Sequence, residues 1–231
     1  MAVLVKNPRS LPYLGDIIHR SICTVVMLGL LCCPPGSLAG PLQVDRPQLI
    51  PILAVTEAES ATGVVMYVSM TVKHRSKASR MQVHFASAPG RFSSRAQQSI
   101  ERAIERTALA LGFATDSWEI SLSVPYVGVT VDGDSLSGMI SVCVAALAQG
   151  KGIVPDVVIT GTITPDGLIG SVGAVPLKLA AAEMARLQRV IVPAMIQDGQ
   201  SAFETTVLKV YSLQSVGQAY ALLTATPDPI P

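Results

Sequence analysis

From residue 49 onward the chain alternates between two hydrophobic rhythms. LIPILAV (49–55) and GVVMYVSMTV (63–72) are rich in branched apolar residues and predict strands, the first despite Pro51. MQVHFASA (81–88) sets Met81, Val83 and Phe85 against Gln82 and His84, and this period of two predicts a half-solvated antiparallel strand. The period then changes. From Ser93 to Leu111, Ile100, Ala103, Ile104, Ala108 and Leu111 recur at helical spacing, with Arg95, Glu101, Arg102, Glu105 and Arg106 opposite, and Gly112 stops the helix.

WEISLSVPY (118–126) predicts a strand. The nearly all-apolar stretch from about Ser135 to Gly150 predicts a helix buried on every side, and therefore a central one. DVVITGTI (156–163) reads as one buried strand and TPDGLIGSVGAV (164–175) as a glycine-rich hairpin or loop. Pro176 opens a helix that runs to about Leu187. RVIVPA (189–194) and TTVLKVYSL (205–213) are further strands, SVGQAYALLTA (215–225) is a closing helix, and 226–231 is an irregular tail. Strands come first, and strands and helices then alternate. That order predicts an α/β (α+β) domain whose sheet has mixed strand directions.

The first 39 residues follow a different pattern. Lys6, Arg9, His19 and Arg20 make a basic start, and SICTVVMLGLLCC (21–33) is an uncharged apolar run. That run is shorter than the roughly 20 residues a membrane span needs. Pro34, Pro35 and Gly36 follow, then the small-residue pattern Ser37-Leu38-Ala39. This order predicts a secretory signal over 1–39, cleaved after Ala39, and a secreted or periplasmic protein. The alternative is an uncleaved anchor, which would bring in a membrane. Residues 40–59 then read as a linker and leading strand, and 60–225 as the folded domain.

Composition narrows the function classes. Hydrophobic residues make up 49% of the 231, aromatics only 4%, and the formal net charge is +1. No basic field is available for nucleic acid. Three of the four cysteines, Cys23, Cys32 and Cys33, fall in the signal-like segment. Cys143 remains alone in an apolar helical run and reads as an inert buried thiol. His74 and His84 have no cysteine or carboxylate at metal-ligand spacing, so the sequence calls for no metal and no cofactor. No glycine-rich stretch has the spacing of a phosphate-binding loop.

One turn concentrates polar chemistry. VDGDSLSG (131–138) joins a strand-like run to the apolar helix. Asp134, Ser135 or Ser137 can cap that helix through its free amides. The same amides and the positive helix end can instead stabilise an oxyanion, with Gly133 letting the chain bend. A serine nucleophile needs a base, and Lys178 is the candidate: it stands alone in the apolar frame AVPLKLAAAEM. To act as a base its pKa must fall from about 10.4 to near 7.5, which costs about 4 kcal/mol of differential solvation. Burial among Val175, Leu177, Leu179 and Ala180 would supply this, whereas a snorkelling lysine would keep its ammonium in water.

These residues resemble a known family. GDSLSG before an apolar helix, then DVVITGTITPDGLIGSVGAVPLKLAAA, then RVIVP, are similar to the proteolytic domain of the Lon proteases. The family's DGPSAG or EGDSAS reads DGDSLS here, and its TGEI followed by GGLKEKLLAA reads TGTI followed by VGAVPLKLAA. MQVHFASAPGRFSSRAQQSIERA and TTVLKVYSLQSVGQAYALL extend the likeness over nearly all of residues 60–225.

The resemblance implies Ser135 as nucleophile, Lys178 as general base, Thr160 as a residue orienting the lysine, and amides at about Asp134 and Ser135 as the oxyanion hole. Ser121 and Ser123 stand where the family often has His-x-His, and Thr162 where it often has glutamate. The family's ATPase module has no counterpart in these residues. What the resemblance implies is a stand-alone serine endopeptidase with a Ser-Lys dyad, acting on peptides or unfolded proteins. Because Lon-family domains commonly form rings, it also suggests a homo-oligomer. The competing expectations are a non-catalytic binding or assembly module on the same fold, and a cytoplasmic fragment of a larger ATP-dependent protease.

Overall fold

The computed structural model describes residues 4–6, 46–57, 60–77, 79–194 and 208–225. Their long apolar strands build one mixed sheet. β1 (Leu4–Lys6), β2 (Gln48–Thr56), β3 (Gly63–His74), β4 (Gln82–Phe85), β5 (Arg91–Phe92), β6 (Trp118–Ser123) and β7 (Thr130–Asp132) lie in the order β4-β6-β3-β2-β1-β7-β5. β2 pairs antiparallel with β3 from Gln48–Met70 to Val55–Gly63, so the strand grouped with the linker in the sequence is integral to the sheet. A second, parallel sheet has the order β12 (Lys209–Leu213), β11 (Arg189–Pro193), β8 (Val157–Ile159). The result is the mixed α/β architecture that the alternation predicts.

Four helices complete the fold: α1 (Ser94–Leu111), α2 (Ser137–Ala148), α3 (Val175–Met184) and α4 (Val216–Thr224). The Ser93 side chain caps α1 by accepting from the Ala96 amide, and Gly112 ends it in the left-handed conformation. Every residue of α2 is buried, because α1, α4 and strands of both sheets pack around it. Each fully buried Ile, Leu or Met there contributes about 2 kcal/mol of apolar transfer free energy. A polar bridge crosses this interface, with Thr107 Oγ1 donating to Ser141 Oγ over 2.8 Å and Ser141 Oγ to the Gly138 carbonyl over 3.1 Å.

Three expectations change. β4 pairs with β6 parallel, not antiparallel. The connection between them contains α1, and a helical crossover returns the chain in the same direction. The single strand expected over 156–163 is broken into β8 and the two-residue β9 (Thr162–Ile163), which forms a hairpin with β10 (Ile169–Gly170). The break has a cause: the start of α2 engages the backbone that a continuous strand would use. The Gly138 amide donates to the Gly161 carbonyl, and the Gly161 amide donates to the Ser135 carbonyl, each over 2.9 Å. A Cβ on Gly138 would stand 2.6 Å from the Gly161 oxygen, so this approach requires glycine. Lastly, α3 ends at Met184, ahead of the expected Leu187.

β1 falls in the segment read as a signal. It sits between β2, parallel, and β7, antiparallel. Most of the expected signal, the tail and residues 205–207 of the last expected strand lie outside the described residues. A chain crossing a membrane at 21–33 would hold Leu4–Lys6 on the side opposite the domain. The pairing of β1 and export through that segment are therefore different states of the chain. Among the described residues no helix is long and apolar enough to cross a membrane.

Candidate active site

The strand-to-helix turn is built by residues that favour a sharp bend. β7 ends at Asp132, and Gly133 follows with φ 106°, a region that side-chain-bearing residues rarely adopt. The Ser137 amide donates to the Asp134 carbonyl over 3.0 Å, closing the turn. The cap position of α2 is Leu136, with no side-chain capping bond. Helix capping is thus not the task of these serines.

The two serines differ sharply. Both are about 1% exposed. Ser137 Oγ is buried without a hydrogen-bond partner among the described residues. Ser135 Oγ accepts from Lys178 Nζ over 2.7 Å. The same amine donates to Thr160 Oγ1 over 2.9 Å, and Thr160 is itself 1% exposed. Thr160 reaches this position because its amide still bonds Ile191 of the second sheet, while the next residue turns away to meet α2.

Lys178 is delivered by α3. Ala174 precedes the helix in the left-handed conformation, φ 57°, which costs a non-glycine residue about 1 kcal/mol. Pro176 in the first turn fits the helix, since its missing amide is one the first turn leaves unbonded. The lysine is 0% exposed, among the largest fully buried side chains described. Of the four neighbours the sequence suggested, Val175 and Leu179 are buried with it and two are not. Leu177 and Ala180 face outward, and Val175, Leu179, Ala181 and Ala182 are the buried residues of α3. Val175, Ala181 and Ala182 lie three or four residues from Lys178 and so share its face of the helix.

Burial pushes the Lys178 pKa down from 10.5 to about 8, and the nearby Asp134 carboxylate partly opposes the fall. An amine so placed is neutral in a substantial fraction of molecules near pH 8. A neutral amine 2.7 Å from a hydroxyl can accept its proton. Burial pushes the Cys143 thiol upward, so this residue holds no thiolate, in line with the inert reading. His74 and His84 are exposed; His74 meets Ser117 Oγ and the Ala148 carbonyl. Among the described residues no cluster of three or more His, Cys, Asp or Glu could hold a metal.

Two contacts at the turn escaped the sequence reading. Arg95, in the first turn of α1, donates to Asp134 Oδ2 over 3.2 Å. Ser93, the cap of α1, donates its hydroxyl to Asp132 Oδ1. Local pattern marks Arg95 only as polar-face, because each pairing spans 39 residues.

The sequence model of the Lon protease (S16) C-terminal proteolytic domain matches residues 90–223, more than half of the chain and the whole of this site. Among curated proteins, the chain is 42% identical over 78 residues to the peroxisomal Lon protease homolog 2 of Xenopus laevis, and 41% over 78 residues to that of Homo sapiens. Each match covers 34% of this chain and 9% of the relative. Lon protease 1 of Thermus thermophilus is 30% identical over 122 residues, 52% of this chain and 15% of the relative. The chain thus spans a small part of the length of these relatives.

Proposed function

This chain belongs to the family of Lon proteolytic domains, and on that premise we propose that it is a serine endopeptidase working through a Ser135–Lys178 dyad. The observation that carries the reading is the buried lysine amine 2.7 Å from the serine hydroxyl. Burying a lysine is costly, and a pKa lowered to about 8 is what a base operating near neutral pH requires.

In the proposed cycle, neutral Lys178 takes the Ser135 proton while the hydroxyl oxygen attacks a peptide carbonyl. The resulting oxyanion sits near the start of α2, where amides at about Asp134 and Ser135 are the proposed donors. Protonated Lys178 then gives its proton to the leaving amine, and an acyl-enzyme remains on Ser135. Water, deprotonated by the same lysine, attacks the acyl group and releases it as a carboxylic acid, and Lys178 returns the proton to the departing Ser135 oxygen, which restores the enzyme. Thr160 Oγ1 holds the amine on the serine side throughout.

The substrates proposed are peptides or unfolded proteins, and the proposed cycle uses neither cofactor nor ATP. The proposed location is outside the cytoplasm, with residues 1–39 as signal or anchor, and a homo-oligomer is the proposed assembly. The deciding experiment is labelling with a serine-directed phosphonate and mapping the adduct. The expected adduct is on Ser135 and is absent from Ser135→Ala. A correctly folded wild type that neither labels nor cleaves unfolded protein would leave the non-catalytic module as the better reading.

A further inference from the structure

We propose that Arg95 is a positioning residue for the active site, holding the Asp134 carboxylate beside Lys178 and offsetting its charge. The inference rests on the dyad reading above and goes beyond it to what tunes the dyad. Arg95 comes from α1, an element that contributes nothing to the dyad itself. Its guanidinium meets Asp134 Oδ2 at 3.2 Å, one residue before Ser135. The other carboxylate oxygen, Oδ1, is buried with no hydrogen-bond partner among the described residues. Arg95 is therefore the recorded side-chain partner that orients this carboxylate. A second tie beside it, from Ser93 to Asp132, fixes the start of α1 on the same turn, so Arg95 is held at a set distance from the site.

The charges around Lys178 make the consequence specific. α2 and β2 carry no charged residue. Lys73 and His74 lie at the end of β3 remote from Gly63, where α3 packs, and Arg189 opens β11. Glu183 lies further along α3 itself, and Asp132 is engaged by Ser93. Asp134 is the charged group whose field registers at Lys178, and it favours the protonated amine. Arg95 counters that field through the carboxylate itself, by pairing with it. The pairing favours the neutral amine that the proposed reaction uses. Because the Arg95 side chain is 44% exposed, solvent screens part of the effect.

The test is the pH dependence of phosphonate labelling and of peptide cleavage in wild type, Arg95→Ala, Arg95→Lys, Asp134→Asn and the double variant Arg95→Ala/Asp134→Asn. Removing Arg95 is expected to move the alkaline midpoint upward by about half a pH unit, the scale of one partly screened charge. The rate lost at pH 7 returns on the alkaline plateau. Arg95→Lys restores most of the midpoint, Asp134→Asn moves it downward, and Arg95→Ala has a much smaller effect in the Asp134→Asn background. Added salt narrows the difference between wild type and Arg95→Ala.

An unchanged midpoint in Arg95→Ala, with a uniformly lower rate at every pH, overturns this proposal and leaves the dyad standing. So does an equal shift with and without Asp134. If Arg95→Ala does not fold, the Arg95→Lys and Asp134→Asn midpoints decide alone. Wild type that never labels overturns the dyad and this inference together.

Discussion

Ser135 Oγ and Lys178 Nζ stand 2.7 Å apart, although 43 residues separate them in the chain. Two different helices bring them there. α2 begins immediately after the turn that carries Ser135, and α3 presents Lys178 from its buried face. Gly161 is tied to the start of α2, donating to the Ser135 carbonyl and accepting from the Gly138 amide, and its neighbour Thr160 meets the amine carried by α3.

This relationship predicts which substitutions silence the enzyme. Lys178→Arg keeps a positive charge of similar bulk but cannot yield a neutral base. We expect cleavage to drop by about a hundredfold to ten-thousandfold, as for Lys178→Ala, with circular dichroism unchanged. Ser137→Ala is expected to retain labelling and cleavage, since its hydroxyl meets no hydrogen-bond partner among the described residues. A Lys178→Arg enzyme of near-normal rate would refute the dyad.

The lowered lysine pKa predicts the direction of the pH profile. In the proposed dyad only the neutral amine accepts the serine proton, so the rate rises with pH through a midpoint near 8 and levels off at more alkaline pH. Cleavage of a flexible peptide between pH 6 and 10 checks this. A rate that falls across that range would mean that the protonated form of some group is the active one.

The same burial predicts a stability cost. The lysine binds its proton less readily folded than unfolded, so the folded state holds fewer protons between pH 8 and the unfolded value of 10.5. Stability attributable to Lys178 therefore rises with pH across that window, and the penalty is fully present below it. Its size is on the order of 3 kcal/mol at most. Lys178→Met removes the charge at similar length. It is expected to raise the denaturation midpoint at pH 7, with a smaller gain at pH 10, while abolishing activity. Chemical denaturation at both pH values measures it, and a marked loss of stability at pH 7 would count against a desolvated lysine.

The N-terminus offers a direct choice between two states of the chain. With export and cleavage after Ala39, the mature protein begins at Gly40 and has no β1. N-terminal sequencing of protein from an exporting host is expected to read Gly40. If instead the protein starts at Met1 and the amides of Leu4–Lys6 are protected from hydrogen exchange, the strand is real in solution and the signal reading is wrong.

The sequence by itself was enough for whatever depends on local periodicity or on the type of one residue. The 3.6-residue pattern of Ile100, Ala103, Ile104 and Ala108 was sufficient for α1, and its caps Ser93 and Gly112 were visible as residue types. The uninterrupted apolar run identified α2 as central. Resemblance of two short blocks pointed to Ser135, Lys178 and Thr160. Everything set by chain crossings had to wait for tertiary structure. The direction of β4 depended on where α1 returns the chain. The break after Thr160 depended on α2 taking the Gly161 backbone, a competition that no strand propensity records. The contact of Arg95 with Asp134 joins segments remote in sequence. The physical reason is common to all of these. Periodicity states which residues avoid water, but a hydrogen bond or a field between two charges depends on distances that only the packed chain determines.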